Sequence, residues 1–357
     1  MPGRSAVMTV VFALAVVLFD RASTVALNTK ARETRRSLIV RAKVWHPVDT
    51  AALDLETGPG GPGAFAPRET IECEYLDRLL SGATPKFTCR LPNGHELKVK
   101  YVDPNSRYGE VYGEVLGSRL LWALGFGADR MYSVRVVCHK CPEAIGGVAR
   151  ANGDRLLDPV AVERKLGREL SGEWYWSELD RIDEAKGGAT RAERDALKLL
   201  AVFIQHGDSK PVQQRIVCLD DAPDKTQHCA EPLMMISDLG NTFGRALALN
   251  QPRGGVNLKE WSALPVWKSG DACVGNLAGS LTGTLRDPVI SEAGRSLLAA
   301  LLMKLSDDQL RDLFEGARVY LRPRVPDEGR SGFPTVGEWV SAFKERRRQV
   351  VEHRCAT

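Results

Sequence analysis

The segment QHGDSKPVQQ, at positions 205–214, combines an acid, basic side chains, a proline and three amides between an apolar helical run and the strand-like RIVCL. The turn at Gly207 places Asp208 directly after a buried helix, and Gln213 follows five positions later. A second acid, Asp238, follows the apolar run at 233–236 in MMISDLG. Two acids that follow buried elements, about thirty positions apart, predict one shared cleft.

Phosphoryl transfer requires this kind of pair. One carboxylate orients the attacking hydroxyl, a second holds a divalent ion, and an amide oxygen often completes the coordination of the ion. Asp208, Asp238 and Gln213 are candidates for these three roles. Each acid also precedes residues that favour a tight turn, so a local turn role stays open for both.

A cation for the phosphates is expected from a strand. The run ELKVKYV places Lys98 and Lys100 on one face, because side chains alternate along a strand. The same alternation is typical of any half-exposed strand. Glu114 or Glu110, on the helix predicted over 110–124, could hold such a lysine.

In this order and spacing the segments resemble the protein-kinase-like fold, and most closely its HipA-type serine kinases. LSGATPKF at 80–87 is similar to the glycine-containing nucleotide loop of that family, and LKVKY resembles its lysine strand. Glu114 matches the helix carboxylate, while GDSKPVQ at 207–213 and ISDLG at 236–240 resemble the catalytic loop and the metal-binding segment. The resemblance covers about residues 80–245.

The resemblance implies binding of ATP with Mg²⁺ or Mn²⁺. It implies that Asp208 is the catalytic aspartate, with Lys210 beside it to reach a γ-phosphate or to pair with the aspartate. The metal ligands implied are Asp238 and Gln213. The implied nucleotide-binding residues are Lys100, Lys98, Glu114, Gly82 and Lys86. Two positions depart from the family: Gln213 stands where asparagine is normal, and Lys210 where histidine is common.

The function predicted is therefore that of an exported kinase-like phosphotransferase acting on a hydroxyl acceptor of unknown identity. An alternative is a catalytically inactive, pseudokinase-like binding module, which Gln213 favours. A third is a secreted hydrolase using His206 and an acid, although the chain has no GxSxG-like nucleophile turn. For His206 itself, a structural role is the favoured interpretation.

The N-terminus has the layout of a secretory signal. Arg4 precedes fourteen uncharged, mostly apolar residues at 6–19, and small residues lead to a cleavage site after Ala26. Asp20 and Arg21 end the run before the ~20 apolar residues that a membrane span needs. We expect a periplasmic or extracellular protein with no stable membrane span after signal removal. Such compartments are poor in ATP, so export would require a supplied nucleotide or another donor.

Eight cysteines fit an oxidising compartment, where even numbers pair into disulfides. Cys138 and Cys141 form the single CxxC, for which a structural disulfide, a redox site and a zinc site stay open. Cys218 and Cys229 flank a polar insert and suit a local disulfide. The dense aromatics of GEWYW, Trp174 to Trp176, are expected to pack in the core or at a lobe interface.

The chain is predicted to be α+β and two-lobed. We expect a signal at 1–26, a flexible segment at 27–66, a β-rich lobe with one helix at 67–150, and a mainly helical lobe at 151–357. Capping boxes predict helix starts at TRAE (190), SDDQ (306) and TVGE (335). The net charge of +4 is spread along the chain, and the basic run KERRR at 344–348 fits a solvated helix face, so no nucleic-acid partner is expected.

Overall fold

The computed structural model describes residues 34–103, 109–150, 153–219, 229–245, 254–268, 273–277, 279–280, 282–324 and 332–355. The predicted signal at 1–26 lies outside these residues. Within them, no helix has the length and apolar character that crossing a bilayer requires. The fold is mixed α+β, as predicted, with most strands before residue 173 and most long helices after residue 190.

The first half of the chain forms a barrel-like sheet. Its strands are β1 (Thr70–Leu76), β2 (Lys86–Arg90), β3 (Glu96–Tyr101), β4 (Arg130–His139), β5 (Val148–Ala149) and β6 (Arg155–Arg164). The order is β3-β2-β1-β4-β6-β5, and β3 also pairs with β6, which closes the sheet on itself. Among the strand pairs of this sheet that the structure describes, β1–β4 is parallel and the others are antiparallel.

The predicted hairpin of β2 and β3 is present, and Gly94 in its turn has a φ of +83°. Because β6 pairs with β3 and β4, the sheet extends to residue 164 rather than ending at the predicted lobe boundary of 150. The sequence pattern missed β6 because Asp158-Pro159 interrupts it with residues typical of turns.

Helix α2 (Glu110–Ala123) lies between the barrel and the rest of the molecule, following a short helix at 34–40, α1. It is buried on nearly every side. Gly125, two residues beyond its last residue and with a positive φ, terminates it as predicted. Gly113 and Gly117 face the segment that follows Asp238. A Cβ on Gly113 would lie 2.2 Å from the Gly240 carbonyl oxygen, and one on Gly117 would lie 2.8 Å from the Leu239 Cβ. The missing side chains therefore bring the helix backbone against the Asp238 segment.

A second sheet and a helix carry the Asp208 loop. Strands β7 (Arg168–Gly172), β8 (Gln214–Cys218) and β9 (Pro232–Ile236) are antiparallel in that order. Helix α3 (Arg191–Phe203) precedes the loop. Trp174 and Trp176 are buried, as predicted, but Tyr175 between them is 51% exposed, so the core prediction is wrong for Tyr175. The Trp174 Nε1 donates to carbonyls on both β8 and β9.

The remaining helices are α4 (Leu258–Ala263), α5 (Glu292–Met303), α6 (Asp307–Gly316) and α7 (Val336–Glu352). The three predicted capping boxes, at Thr190, Ser306 and Thr335, are confirmed. The solvated interpretation of 344–348 is wrong for Arg346, which is fully buried. Its guanidinium donates to the carbonyls of Val202 and Phe203, so it caps the end of α3 next to the Asp208 loop.

The expected flexible segment is packed where it is described, at 34–66. Val44 and Leu55 are fully buried, and the Arg119 guanidinium on α2 donates to the carbonyls of Leu55 and Glu56. Glycine and proline exclude regular structure only over 58–66, where barrel side chains donate to the carbonyls of Pro59, Gly60 and Gly63. This segment therefore restrains the back of α2.

All eight cysteines lie within the described residues and pair into four disulfides. The local Cys218–Cys229 bridge and the Cys138–Cys141 disulfide agree with the sequence predictions, so zinc at the CxxC is excluded in this state. Cys73–Cys89 joins β1 to β2, and Cys273–Cys355 joins residues 82 positions apart. Four bridges are consistent with an oxidising compartment.

Candidate active site

A cleft of about 520 Å³ opens where the barrel, α2 and the Asp208 loop meet. Residues from all of the predicted site segments line it. They are Leu80, Ser81, Gly82, Ala83, Thr84, Lys86, Lys98, Lys100, Glu110, Lys165, Asp208, Lys210, Val212, Gln213, Arg215, Ser237, Asp238 and Asn241. The two acids and the strand lysines therefore do face one space.

Lys100 is at the centre of an ionic cluster. Its ammonium pairs with Glu114 and lies 3.6 Å from Asp238. Lys98, on the same strand face, pairs with Glu163 instead. Lys100, rather than Lys98, is therefore the lysine that the helix carboxylate holds.

The charge states of this cluster follow from its burial. Burial opposes the charged form of Lys100, but Asp238 and Glu114 outweigh it and raise the pKa of Lys100 well above its usual value. Burial likewise opposes ionisation of Asp238, yet the charge of Lys100 holds the pKa of Asp238 well below its usual range. Burial raises the pKa of Glu114 to about 8, although Lys100 lowers it. Asp238 is thus the ionised acid that faces the cleft.

Glu110, one turn before Glu114, joins three segments. Its carboxylate accepts from the Thr84 hydroxyl of the glycine loop and, at 3.0 Å, from the Asn241 amide three residues after Asp238. It also lies 3.7 Å from the Lys100 ammonium. The sequence suggested Glu110 only as a substitute for Glu114, but in the structure both carboxylates face the same lysine.

Like charges face each other across the β2–β3 hairpin. Lys86 is directly opposite Lys100, and such pairs destabilise a sheet unless an anion lies between them. Lys86 has no bonding partner within the part of the chain that the structure describes, and burial together with Lys100 lowers its pKa. A Cβ on Gly82 would lie 2.9 Å from the Lys86 ammonium, so the glycine leaves room for this side chain. An anion bound in the cleft would relieve the repulsion.

The acids of the cleft offer oxygen ligands for a divalent ion. One carboxylate oxygen each of Glu110, Glu114 and Asp238 lies within 4.8 Å of the others. Carboxylate oxygens are the ligands that Mg²⁺ and Mn²⁺ prefer. Glu114 is committed to Lys100 and does not line the cleft, whereas Asp238 and Glu110 do. Glu110 would reach an ion by exchanging its bonds to Thr84 and Asn241.

Asp208 is fixed by side chains of its own loop. The Lys210 ammonium contacts both carboxylate oxygens, at 2.8 and 3.0 Å, and the Gln213 amide donates to one of them at 3.0 Å. The Gln213 amide oxygen accepts from the Lys210 backbone at 3.3 Å. The amide nitrogen and the amide oxygen of Gln213 are thus both bonded within the loop. Among the described residues, Gln213 forms no side-chain hydrogen bond with Asp238.

A serine from a distant segment completes the environment of Asp208. The Ser280 hydroxyl donates to Asp208 at 3.2 Å and accepts from the Gly283 backbone at 3.0 Å. With Lys210 and Gln213 it occupies the roughly four lone-pair positions of the carboxylate. No sequence signal could have identified Ser280, because it lies 72 positions from Asp208 in a segment without a recognisable motif.

His206 is buried behind the loop. Burial lowers its pKa to about 4, although the charges of Asp208 and Asp238 raise it. Neither ring nitrogen has a hydrogen-bond partner among the described residues. The neutral, buried ring fits the structural role that we predicted for it.

No protein-family model matches the chain, and no curated protein matches it in sequence. Among solved structures, it is similar to the Helicobacter pylori proinflammatory kinase CtkA at 11% identity and a TM-score of 0.42, over 79% of this chain and 96% of that one.

Two structures of the Golgi casein kinase are also similar. The one with Mn/ADP bound is 13% identical, with a TM-score of 0.36 over 80% of this chain and 72% of that one. The other is 13% identical, with a TM-score of 0.35 over 85% of this chain and 75% of that one. Values this low leave the function to be inferred from the site.

Proposed function

We propose that the protein is a kinase-like phosphotransferase that moves a phosphoryl group from ATP to a hydroxyl acceptor. The observation that carries the proposal is the convergence of Lys86, Lys100, Asp208 and Asp238 on one cleft from four separate segments. Phosphoryl transfer is largely positioning and electrostatic stabilisation, and it needs this combination of cations and acids. The likeness to HipA-type serine kinases belongs to the same proposal.

The chain's own residues would do the following. Lys100, held by Glu114, and the unpartnered Lys86 bind phosphate oxygens. Asp208 accepts the proton of the acceptor hydroxyl. At the same time the hydroxyl oxygen bonds to the γ-phosphorus, and the bond from that phosphorus to the bridging oxygen of the β-phosphate breaks. Lys210 would turn from Asp208 to the transferred group, which frees carboxylate oxygens for the hydroxyl.

A divalent ion would neutralise phosphate charge in this cleft. Asp238 would hold it, with Glu110 as the second protein ligand in place of, or together with, Gln213. The oxygen spacing of the acidic cluster fits such an ion. We therefore expect ATP to bind together with Mg²⁺ or Mn²⁺.

A thermal-shift titration with ATP and Mn²⁺ tests the proposal. The wild-type chain should be stabilised by the two together, and Asp238→Ala should lose that stabilisation. Asp307→Ala, at an exposed carboxylate on α6, is the control and should behave as wild type. A flat response of the wild-type chain would contradict the proposal.

A binding module without transfer activity is the second candidate. The observation that favours it is the complete use of Asp208 by Lys210, Gln213 and Ser280, which leaves the carboxylate no free position for an acceptor hydroxyl. Nucleotide-dependent stabilisation without any phosphate transfer would select this candidate. The hydrolase gains no support, because the His206 ring forms no hydrogen bond with an acid or nucleophile among the described residues.

A further inference from the structure

A second cavity borders the segment that holds Asp208. It measures about 470 Å³, and we call it the arginine pocket. Its lining residues are Trp176, Ser177, Asp180, Arg191, Arg194, Asp195, Lys198, Thr284, Leu285, Arg286, Pro288 and Val289. Thr284 donates from its backbone and its hydroxyl to the Ser209 carbonyl, at 3.0 and 3.2 Å. A residue that lines the pocket is thus bonded to the neighbour of the candidate catalytic acid.

The pocket is cationic, with four basic side chains against two carboxylates. Arg194 is held by the carbonyls of Leu179 and Ile182, and Lys198 pairs with Asp180 at 3.0 Å. These two cations are committed to the protein.

The two other cations have donors to spare. The Arg191 side chain is 73% exposed and lies 3.6 Å from Asp195. Arg286, which is also exposed and lines the same pocket, donates to the Ser280 carbonyl at 2.9 Å through one nitrogen. A guanidinium carries five N–H donors in a fork that matches a carboxylate. Two arginines that line one pocket therefore offer donors to an anionic oxygen group.

An unsatisfied hydrogen-bond donor belongs to Trp176, which also lines the arginine pocket. The Trp176 Nε1 is buried and has no acceptor among the described residues. A buried N–H without a partner is unfavourable, so a ligand oxygen that reached it would be favoured. This donor is independent of the arginines and also indicates an acceptor-rich ligand.

Arg286 connects the pocket to the site. Its guanidinium holds the carbonyl of Ser280, and the hydroxyl of Ser280 holds Asp208. We propose that the arginine pocket binds a carboxylate side chain of a protein acceptor, close to the hydroxyl that Asp208 activates. This inference rests on the proposed phosphotransferase function and adds its acceptor class, an acidic peptide segment.

Fluorescence anisotropy with the full disulfide-bonded chain tests it. Two labelled peptides share a central serine, which is flanked by three glutamates on each side in one and by three glutamines in the other. The wild-type chain should bind the glutamate peptide about tenfold more tightly, a difference of 1.4 kcal/mol. Arg191→Gln and Arg286→Gln should each remove most of that difference.

The matched control is Arg311→Gln, which removes a similarly exposed helix arginine paired with Asp308 at 2.8 Å. It should leave the preference intact. Equal affinities of the two peptides for the wild-type chain, or an equal loss in Arg311→Gln, would overturn the inference. An ATP and Mn²⁺ thermal shift on the same samples separates the two proposals. A normal thermal shift without a preference for the glutamate peptide would contradict the peptide site in the arginine pocket and leave the phosphotransferase proposal standing.

Discussion

On one side of the cleft Lys100 is held by carboxylates from a buried helix, whereas on the other side Asp208 is held by a lysine, an amide and a serine from loops. The first side is built on the barrel and on α2, whose glycines contact the Asp238 segment directly. The second depends on hydrogen bonds that a ligand can replace one at a time. This contrast indicates a rigid phosphate-binding side and an adaptable acceptor side.

The largest effect is expected at the acceptor side. Asp208→Asn removes the proton acceptor but keeps the size of the side chain, so phosphate transfer should fall by a factor of about 10³ or more. Nucleotide and Mn²⁺ binding should persist, because the Lys100 side is untouched. Radiolabel transfer and thermal shift, measured on the same protein, check both halves. Unchanged transfer would remove Asp208 from the mechanism.

On the Lys100 side of the cleft, we expect a steric clash between α2 and the Asp238 segment to destabilise the protein. A Cβ in Gly113→Ala would lie 2.2 Å from the Gly240 carbonyl, so α2 or the Asp238 segment must move. We expect a loss of about 3 kcal/mol in the free energy of unfolding, measured by urea denaturation, and a weaker response to Mn²⁺ with ATP.

Gly337→Ala is the matched control for Gly113→Ala. This helical glycine in α7 has no atom closer than 3.9 Å to the added Cβ. The change should stabilise the protein by less than about 1 kcal/mol, since alanine favours helix but Gly337 lies in the first turn. Equal destabilisation by the two changes would show that the contact with the Asp238 segment is not special.

His206 is buried behind both sides of the cleft, and its lowered pKa predicts that the free energy of unfolding depends on pH. Its folded pKa of about 4 lies below the usual histidine value of 6.5, so the unfolded chain takes up the proton first as the pH falls. This group's stability contribution is complete above about pH 6.5 and is lost progressively towards pH 4. Between pH 7.5 and 5 the loss should be about 2 kcal/mol.

Urea unfolding of the wild-type chain and His206→Asn at both pH values isolates this contribution. The variant should lack that part of the decline, while the carboxylates shared by both proteins cancel. Parallel declines in the two proteins would contradict the buried, neutral assignment.

The smallest effect is expected at Gln213. Gln213→Asn shortens the side chain by one methylene, which breaks the 3.0 Å bond to Asp208 and frees the amide oxygen. We expect Mn²⁺ to bind a few-fold more tightly in the presence of ATP, a change of about 1 kcal/mol or less. A Mn²⁺ titration followed by thermal shift measures it, and weaker binding would show that Gln213 already supplies a ligand.

Local patterns predicted much of this molecule. Alternation identified β1 to β3, the capping boxes located three helix starts, and the acids and lysines of the cleft were named from their positions after buried elements. Of the lysines, Lys98 and Lys100 were named from alternation along their strand, and Lys86 only from the resemblance to HipA-type kinases. Apart from Lys86, the signal lies within a few consecutive residues, where helix and strand periodicity operate.

Contacts between distant segments were out of reach. The burial of Arg346 depends on the orphan carbonyls at the end of α3, and the packing of residues 34–66 depends on the Arg119 guanidinium. Ser280 reaches Asp208 only through tertiary folding. Sequence patterns carry no information about which side chain meets which carbonyl across the fold.

The most direct test is a crystal structure of the protein with a non-hydrolysable ATP analogue and Mn²⁺, using the anomalous signal of manganese. The account predicts Mn²⁺ about 2.1 Å from a carboxylate oxygen of Asp238, with the phosphates between Lys86 and Lys100. Manganese and nucleotide bound away from this cleft would contradict it.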